Sequence, residues 1–219
     1  MKSRLLLTLI LFILLSSYNL KKEFNFISEY GIKEIIIENN SILKEEEIKK
    51  KLSFLYKSNI LMISNDAIKK RLNEIDFIES FELKKMYPDK LRIKIFEREP
   101  IVVLQNKKEK KYYTKNGNVI SFVDKEELNN LPLVFGDPVN FAIFYENLKK
   151  VNFPINEIKT FYFFESKRWD LLTKKNQTIK LPIQNYNHSL ENFMELKVKA
   201  NFEKFKIFDY RIHDQIILK

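Results

Sequence analysis

The residues of this chain whose types suit acid-base chemistry are few, and the densest grouping lies near the C-terminus. Asp209, His213 and Asp214 bring one histidine together with two carboxylates, as a hydrolytic site would require. In an extended strand successive side chains point to opposite faces, so Asp209 and His213 share a face that Asp214 does not. We therefore expect solvated surface here. With no catalytic motif elsewhere, the sequence predicts a protein that is not an enzyme.

A second group of charges, Glu97-Arg98-Glu99, suits either paired carboxylates or an ordinary exposed ion pair beside a domain junction. The chain has few of the residues that usually bind metals or cofactors. The chain has no Cys, two His and three Gly, which disfavours thiolate or histidine metal clusters and glycine-rich phosphate loops. The sequence predicts neither a metal nor a cofactor.

The balance of charge limits the kinds of partner. Basic residues exceed acidic ones by 39 to 29, for a formal net charge of +10, which suits nucleic acid, an anionic membrane surface or an acidic partner. Two segments mix basic and aromatic residues as nucleic-acid binders do: NKKEKKYY at 106–113 and ESKRWD at 165–170. We interpret the first as a solvated hairpin flank and expect Trp169 to pack in a core. No nucleic-acid partner is predicted.

The N-terminus carries a membrane-insertion signal. Lys2 and Arg4 precede an uncharged run from Leu5 to Leu20. As a helix this run would reach about 24 Å, slightly short of the roughly 30 Å hydrocarbon core. We expect an uncleaved anchor at residues 1–22, with the rest of the chain exported. A cleaved signal peptide is the alternative, although its nearest cleavage candidate, Ser16-Ser17-Tyr18, places Tyr where a small residue belongs.

From residue 30 to residue 99 the hydrophobic pattern predicts the order β-α-α-β-β. A β-branched run at Ile35–Ile37 indicates the first strand. Two short helices follow with apolar residues at i, i+4 and i+7. They are Glu45 to Tyr56, with Ile48, Leu52 and Leu55, and a helix capped by Ser64, with Ile68, Leu72 and Ile75. Lys44 precedes the first helix and cannot cap it as Ser or Thr would, so that helix start is less well fixed.

The segment FELKKMYPDKLRIKIFEREP, residues 81–100, predicts an antiparallel hairpin. Apolar side chains alternate with charged ones on both sides of YPDK, so one face is core and the other is solvated. Pro88 and Asp89 suit the central positions of a tight turn. Pro100 then ends the first sheet, because it has no N–H to donate.

Residues 100–219 predict a β-rich domain with two helices. Strand-like segments include IVVLQN, KYYT, VISF, IKTFYFFES, RWDLLT and QTIKLPI, and Asn116-Gly117 suits a hairpin turn. Apolar periodicity predicts helices over residues 140–151 and 189–200, the second with Val198 on its apolar stripe. We expect the last strand at Lys206–Ile212, with a possible continuation over 215–218.

Several of these motifs together resemble the FtsQ/DivIB cell-division family. The sharpest is YPDKLRIKIFEREP, supported by EEEI, NILMIS and the independently placed FDYRI near the C-terminus. The resemblance implies an α+β protein with an N-terminal transmembrane helix, a small POTRA domain at 30–99, and a larger FtsQ-type domain of antiparallel strands with two helices at 100–219. Members usually carry a longer cytoplasmic tail than the MKSR found here.

The resemblance also implies a function and a set of contacts. It implies a single-pass protein of the bacterial inner membrane at the division septum, with its C-terminal domains in the periplasm. It would bind FtsB and FtsL by strand addition and help license septal peptidoglycan synthesis, while the POTRA domain would contact other division proteins. The implied partner-binding residues are Arg168, Phe208, Tyr210, Arg211, Ile212 and Asp214. The alternatives are an exported POTRA-containing module of another assembly or transport system, a secreted binding protein and, more distantly, an exported hydrolase.

Overall fold

The computed structural model describes residues 2–16, 30–106, 109–199, 202–212 and 215–219. The chain divides into two compact units, Met1–Glu97 and Arg98–Lys219. The first element is helix α1, Lys2–Ser16. Among the described residues, no helix combines the length and the apolar character needed to cross a membrane. Residues 17–22 of the expected anchor lie outside the described part of the chain.

The rest of the first unit has the predicted order of elements. It consists of strand β1 (Glu34–Glu38), helices α2 (Glu45–Lys51) and α3 (Asn65–Leu72), and strands β2 (Ile78–Met86) and β3 (Lys90–Glu97). The sheet order is β1-β3-β2, with β1 parallel and β2 antiparallel to the central strand. The β-α-α-β-β prediction is therefore confirmed, including the hairpin around Pro88.

Local interactions explain where the two helices of this unit begin and end. Ser64 caps α3 by accepting a hydrogen bond from the Asp66 N–H at 3.2 Å, as predicted. The side chain of Lys44 makes no cap hydrogen bond to α2, which also agrees with the sequence. Helix α2 nevertheless ends at Lys51, earlier than predicted, because the chain tightens into a 3-10 helix at Ser53–Lys57. Leu52 and Leu55 are buried all the same, so the apolar spacing marked the core correctly.

Glu97 organises a loop of the first unit rather than forming an exposed ion pair. Its carboxylate accepts hydrogen bonds from the backbone N–H groups of Ser41, Ile42 and Leu43 at 2.7–3.0 Å, and from the Ser41 hydroxyl at 2.7 Å. One side chain thus satisfies three consecutive amides. Glu99 is different, since its carboxylate makes an exposed ion pair with Lys115.

We expect Glu97→Ala to loosen this loop. The three amides lose a charged acceptor and exchange it for water, so amide protection at Ile42 and Leu43 should fall by about tenfold, or about 1–2 kcal/mol. Hydrogen exchange followed by NMR measures this directly. Glu99→Ala is the matched control and should leave both amides unchanged. Equal protection in wild type and Glu97→Ala would show that the carboxylate does not hold the loop.

The second unit is one mixed sheet with two helices. Its strands are β4 (Pro100–Asn106), β5 (Glu109–Thr114), β6 (Val119–Ser121), β7 (Leu133–Phe135), β8 (Ile158–Phe163), β9 (Trp169–Thr173), β10 (Thr178–Lys180), β11 (Ile207–Asp209) and β12 (Ile217–Leu218). The helices are α4 (Pro138–Lys150) and α5 (Tyr186–Lys197). The nine strands lie in the order β12-β11-β10-β9-β8-β7-β4-β5-β6.

Two predictions for this unit need correction. The expected all-antiparallel arrangement is wrong, because β7 pairs in parallel with both β4 and β8, and β10 pairs in parallel with β11. Helix α5 begins at Tyr186, earlier than predicted, and ends before Val198, whose side chain is 87% exposed and not on the apolar stripe. Strand β7 was not predicted, since three residues are too short to show a period of two.

An aromatic core fixes the helices onto one face of the sheet. The cross-strand row Phe161, Leu171, Ile179 and Phe208 is fully buried and belongs to the same cluster as the apolar residues of α4 and α5. Phe144 of α4 stacks on Trp169 with ring centroids 4.6 Å apart. Trp169 is 5% exposed, which confirms its predicted place in the core.

Candidate partner-binding edge of the sheet

The last predicted strand is shorter than expected, and the chain covers part of it. Strand β11 stops at Asp209 instead of Ile212. The Asp209 carboxylate accepts a hydrogen bond from the Arg211 N–H at 3.1 Å, which turns the chain out of the strand. Strand β12 then pairs antiparallel with the outer side of β11, placing Leu218 opposite Phe208. The possible continuation over 215–218 is therefore an additional strand.

Strand β12 forms the last edge of the sheet. Lys219 exchanges both backbone hydrogen bonds with Ile207, at 2.9 and 3.1 Å. Hydrogen-bonded and non-hydrogen-bonded pairs alternate along an antiparallel ladder, so the next pair, Leu218 with Phe208, exchanges none. The N–H and C=O of Leu218 consequently point away from β11, on the side of β12 where no other strand of the described residues pairs. A short edge of this kind can receive an extended segment.

Two arginines stand beside this edge, each held by an aspartate. Arg211 donates from Nε to Asp209 Oδ1 at 2.8 Å and from Nη2 to Asp209 Oδ2 at 2.6 Å. Arg168 donates from Nε to Asp170 Oδ1 at 3.0 Å and lies 4.7 Å over the ring of Phe164. A guanidinium group has five N–H donors, and the hydrogen bonds to aspartate use two of them in Arg211 and one in Arg168. Most donors of each guanidinium group therefore remain for a partner, in an orientation that the aspartate already fixes.

The two aspartates respond differently to their surroundings. Hydrogen bonds from the Arg211 side chain lower the pKa of Asp209 below its ordinary value, against the opposing effect of burial. Burial raises the pKa of Asp170, and this outweighs the attraction of Arg168, Lys180 and Arg211. Asp209 was expected on solvated surface, yet it is only 8% exposed. The arginine, not solvent, stabilises its charge.

We expect the Arg211–Asp209 pair to make stability depend on pH in one direction. A carboxyl group whose folded-state pKa is lowered stabilises the fold above its unfolded pKa of about 3.9, and this contribution is lost as the pH falls through the folded-state pKa. Arg211→Ala should therefore reduce the free energy of unfolding by about 1 kcal/mol at pH 7. The difference from wild type should shrink well below pH 4.

Urea unfolding followed by the fluorescence of Trp169 tests this, since the chain has one Trp and it is buried in this unit. Arg71→Ala is the control, because Arg71 makes an exposed ion pair with Glu74 in the other unit. A difference between wild type and Arg211→Ala that stays constant from pH 7 to pH 3 would contradict the assignment.

A cavity of about 1100 Å³ opens next to the edge. Its lining includes Arg168, Arg211, His188, Ile183 and Ile212. Tyr210 also borders it, and its hydroxyl donates to Asn192 Oδ1 at 3.1 Å. Burial raises the pKa of Tyr210, so this hydroxyl stays protonated. The cavity is thus lined by both guanidinium groups and apolar side chains. This combination suits a peptide in which acidic residues stand next to apolar ones. Among the described residues, no group of three His, Asp or Glu side chains is placed to hold a metal ion.

The six residues implied by the family resemblance fall into three groups. Arg168, Arg211 and Ile212 border the cavity, with Ile212 50% exposed. Phe208 and Tyr210 are buried, at 0% and 7% exposure, so they support the edge from inside, and Tyr210 also borders the cavity. Asp214 lies outside the described residues, as does His213 of the acid-base grouping. Leu218, whose N–H points away from β11, was not among the residues predicted for this site, and the sign of it in the sequence is the apolar QIIL at 215–218.

Comparison with known proteins agrees with this two-part organisation. The sequence model of the POTRA domain, FtsQ-type, matches residues 31–98, and that of cell division protein FtsQ/DivIB, C-terminal, matches residues 102–211. The cell division protein FtsQ of Agrobacterium fabrum is 20% identical over 87% of this chain and 61% of its own length. The FtsQ of Rickettsia bellii is 28% identical over 78% of this chain and 64% of its own length.

This chain therefore spans less than two thirds of these two relatives. Among solved structures, the major extracytoplasmic domain of the trans isomer of DivIB from Geobacillus stearothermophilus matches 43% of this chain and 87% of its own, at 11% identity and a TM-score of 0.32. A likeness this weak adds nothing to the assignment, which rests on the sequence models. Since the C-terminal model alone covers half of the residues, the chain belongs to the FtsQ/DivIB family of cell-division proteins.

Proposed function

We propose that this protein is a divisome scaffold that binds FtsB, together with FtsL, at the β12 edge. The observation that carries the proposal is the open backbone of Leu218 beside a cavity flanked by Arg168 and Arg211. An extended segment of FtsB adds to β12 as a further strand, so backbone hydrogen bonds supply affinity. Side chains that enter the cavity supply specificity.

The charges and apolar side chains at this edge define what the segment must look like. The unused donors of the two guanidinium groups suit acidic side chains, which they can bind bidentately. Ile212 and Ile216 provide apolar contact next to them. Of the residues that the family resemblance implies, Arg168, Arg211 and Ile212 thus contribute side chains. The added strand pairs with β12, because β12 already covers Phe208 and Asp209.

Family membership and the apolar N-terminal segment support a wider role. Residues 1–22 anchor the chain in the bacterial inner membrane, with both folded units on the periplasmic side at the division septum. The protein holds FtsB and FtsL there and so helps license septal peptidoglycan synthesis, without chemistry of its own. The POTRA unit contacts other division proteins through its sheet edge or its helices.

Binding to partners tests the proposal. The full-length chain, purified in detergent, is titrated with the periplasmic segment of FtsB from the same organism, with and without FtsL. We expect saturable one-to-one binding that salt weakens, because charged side chains contribute to it. No binding by folded protein, even with FtsL present, would favour an exported POTRA module of another assembly or transport system.

A further inference from the structure

An ordered turn of the POTRA unit holds two large apolar side chains in solvent. The Asn59 side-chain oxygen accepts a hydrogen bond from the Leu61 N–H at 2.9 Å, and the Asn59 carbonyl accepts one from the Met62 N–H at 3.0 Å. Ile60, between them, is fully buried and fixes the turn to the core. Leu61 and Met62 therefore face outward, with 49% and 79% exposure.

This turn lies at the end of the unit where the chain enters. The Ile60 N–H donates to the Tyr30 carbonyl at 2.9 Å, so the turn is bonded to the first residue described after the N-terminal helix. On the other side of this entering segment, the Lys33 N–H donates to the Asp89 carbonyl at 2.9 Å. The hairpin turn of Asp89 also presents Tyr87, which is 61% exposed.

We call these residues the entry end: Leu61, Met62 and Tyr87, with the cations Lys33 and Lys85. The Lys33 side chain is 70% exposed and pairs with Asp89 at 3.0 Å. The Lys85 ammonium donates to the carbonyl of Ile63 at 3.2 Å, which ties the end of β2 to the same turn. Apolar, tyrosyl and cationic groups are thus gathered on one end of the domain.

Tethering makes a bilayer surface the natural partner for this end. The proposed anchor ends at residue 22, so seven residues separate it from Tyr30, and such a length spans at most roughly 28 Å. A short tether gives a high effective concentration, so weak contacts suffice to hold the end in place. Tyr and Lys are the side chains that suit the boundary between lipid and water, and Leu and Met gain by leaving water there.

We propose that the entry end lies against the surface of the membrane that holds the N-terminal anchor, with Leu61, Met62 and Tyr87 at headgroup depth. This rests on the anchoring that forms part of the proposed function. The docking fixes the orientation of the POTRA unit relative to the bilayer. It also leaves the β2 edge and the helices of that unit open to protein partners.

The absence of Cys from the sequence allows a clean test with single labels. Met62→Cys and Ser80→Cys are each made in the full-length chain, labelled with an environment-sensitive fluorophore, and reconstituted into vesicles of phosphatidylethanolamine and phosphatidylglycerol. Ser80 is exposed and lies at the start of β2, at the far end of that strand from Lys85. We expect the label at position 62 to shift to shorter wavelength and to be quenched by doxyl-labelled lipids, while the label at position 80 does neither.

Leu61→Asp in the Met62→Cys background should abolish the shift and the quenching, because a carboxylate resists burial among lipid chains. Flotation of the vesicles separates this inference from the anchoring on which it rests. Protein that does not float with the vesicles overturns both. Protein that floats, with equal solvent exposure at positions 62 and 80, overturns the inference alone. Protection at position 62 that appears only after another division protein is added also overturns it, and assigns the entry end to a protein contact.

Discussion

Leu218→Pro should weaken binding of the FtsB segment by about 100-fold or more while leaving the protein folded. The N–H of Leu218 points away from β11, so proline removes a donor from the open edge without breaking a bond inside the sheet. Each ladder hydrogen bond contributes about 0.5–1.5 kcal/mol net, and the proline ring also keeps the neighbouring bonds from forming. The combined loss of roughly 3 kcal/mol corresponds to the expected change.

Two further variants separate the backbone effect from other causes. Leu218→Ala removes a partly buried side chain that packs on the core but keeps the N–H, so binding should fall by less than about tenfold. Val119→Pro places the same substitution on β6, at the opposite edge of the same sheet. The Thr114 N–H bonds to the Asn118 carbonyl at 2.9 Å, so the following pair, Tyr113 with Val119, leaves the Val119 N–H pointing outward.

The outcomes of this experiment distinguish the two edges. Calorimetric titration gives the dissociation constant, and the fluorescence of Trp169 in urea shows whether each variant is folded. Loss of binding in Leu218→Pro but not in Val119→Pro assigns the partner strand to β12. The reverse pattern would assign it to β6. Equal binding by all folded variants would exclude strand addition at either edge and leave the cavity as the contact.

The sequence predicted well those elements whose periodicity extends over several turns or pairs. Ile68 and Leu72 in helix α3, and Leu91, Ile93 and Ile95 in β3, repeat with the period of their element, and all five are fully buried. The POTRA topology follows from such segments because they are close together in sequence. For the second unit the pattern predicted a β-rich domain with two helices, which the family resemblance supported, but the order of its strands stayed open.

What the sequence could not predict depends on contacts between distant residues. Strand β7 has three residues and is defined by β4 and β8 on either side. Glu97 bonds to amides more than fifty positions earlier, so its neighbours in sequence gave no sign of its role. The end of β11 depends on the Asp209 carboxylate bonding two residues ahead, a local turn that an alternating pattern reads as more strand.

At the candidate site the residue types were predicted but their geometry was not. Arg168 and Arg211 are 43 positions apart in sequence, and the strand order β9-β10-β11 brings them to one cavity. Their aspartate partners sit on β9 and β11, on either side of Lys180 of β10, in the cross-strand row Asp170, Lys180 and Asp209. These arginine–aspartate pairs could not be seen in the sequence, and they hold each arginine in place before a partner arrives.

Arg211→Ala should reduce binding of the FtsB segment by about 30- to 100-fold, because truncating one member of a desolvated charge pair costs roughly 2–3 kcal/mol. The same change costs the fold only about 1 kcal/mol. Unfolding therefore does not account for the loss, provided that the titration is done where the variant is fully folded. Arg211→Lys keeps the charge but not the planar fork, so an intermediate loss is expected.

The salt dependence of the association rate gives this prediction its sharpest test. If Arg211 attracts an acidic side chain, the association rate of wild type should fall as salt rises, and this dependence should be shallower in Arg211→Ala than in Arg211→Lys. Arg71→Ala, which removes an equal charge from the POTRA unit, should behave as wild type. An Arg211→Ala variant that binds as tightly as wild type would mean that the Arg211–Asp209 pair stabilises the fold and does not contact the partner. The cationic contact would then be left to Arg168, whose replacement by Gln keeps a donor for Asp170 and becomes the decisive variant.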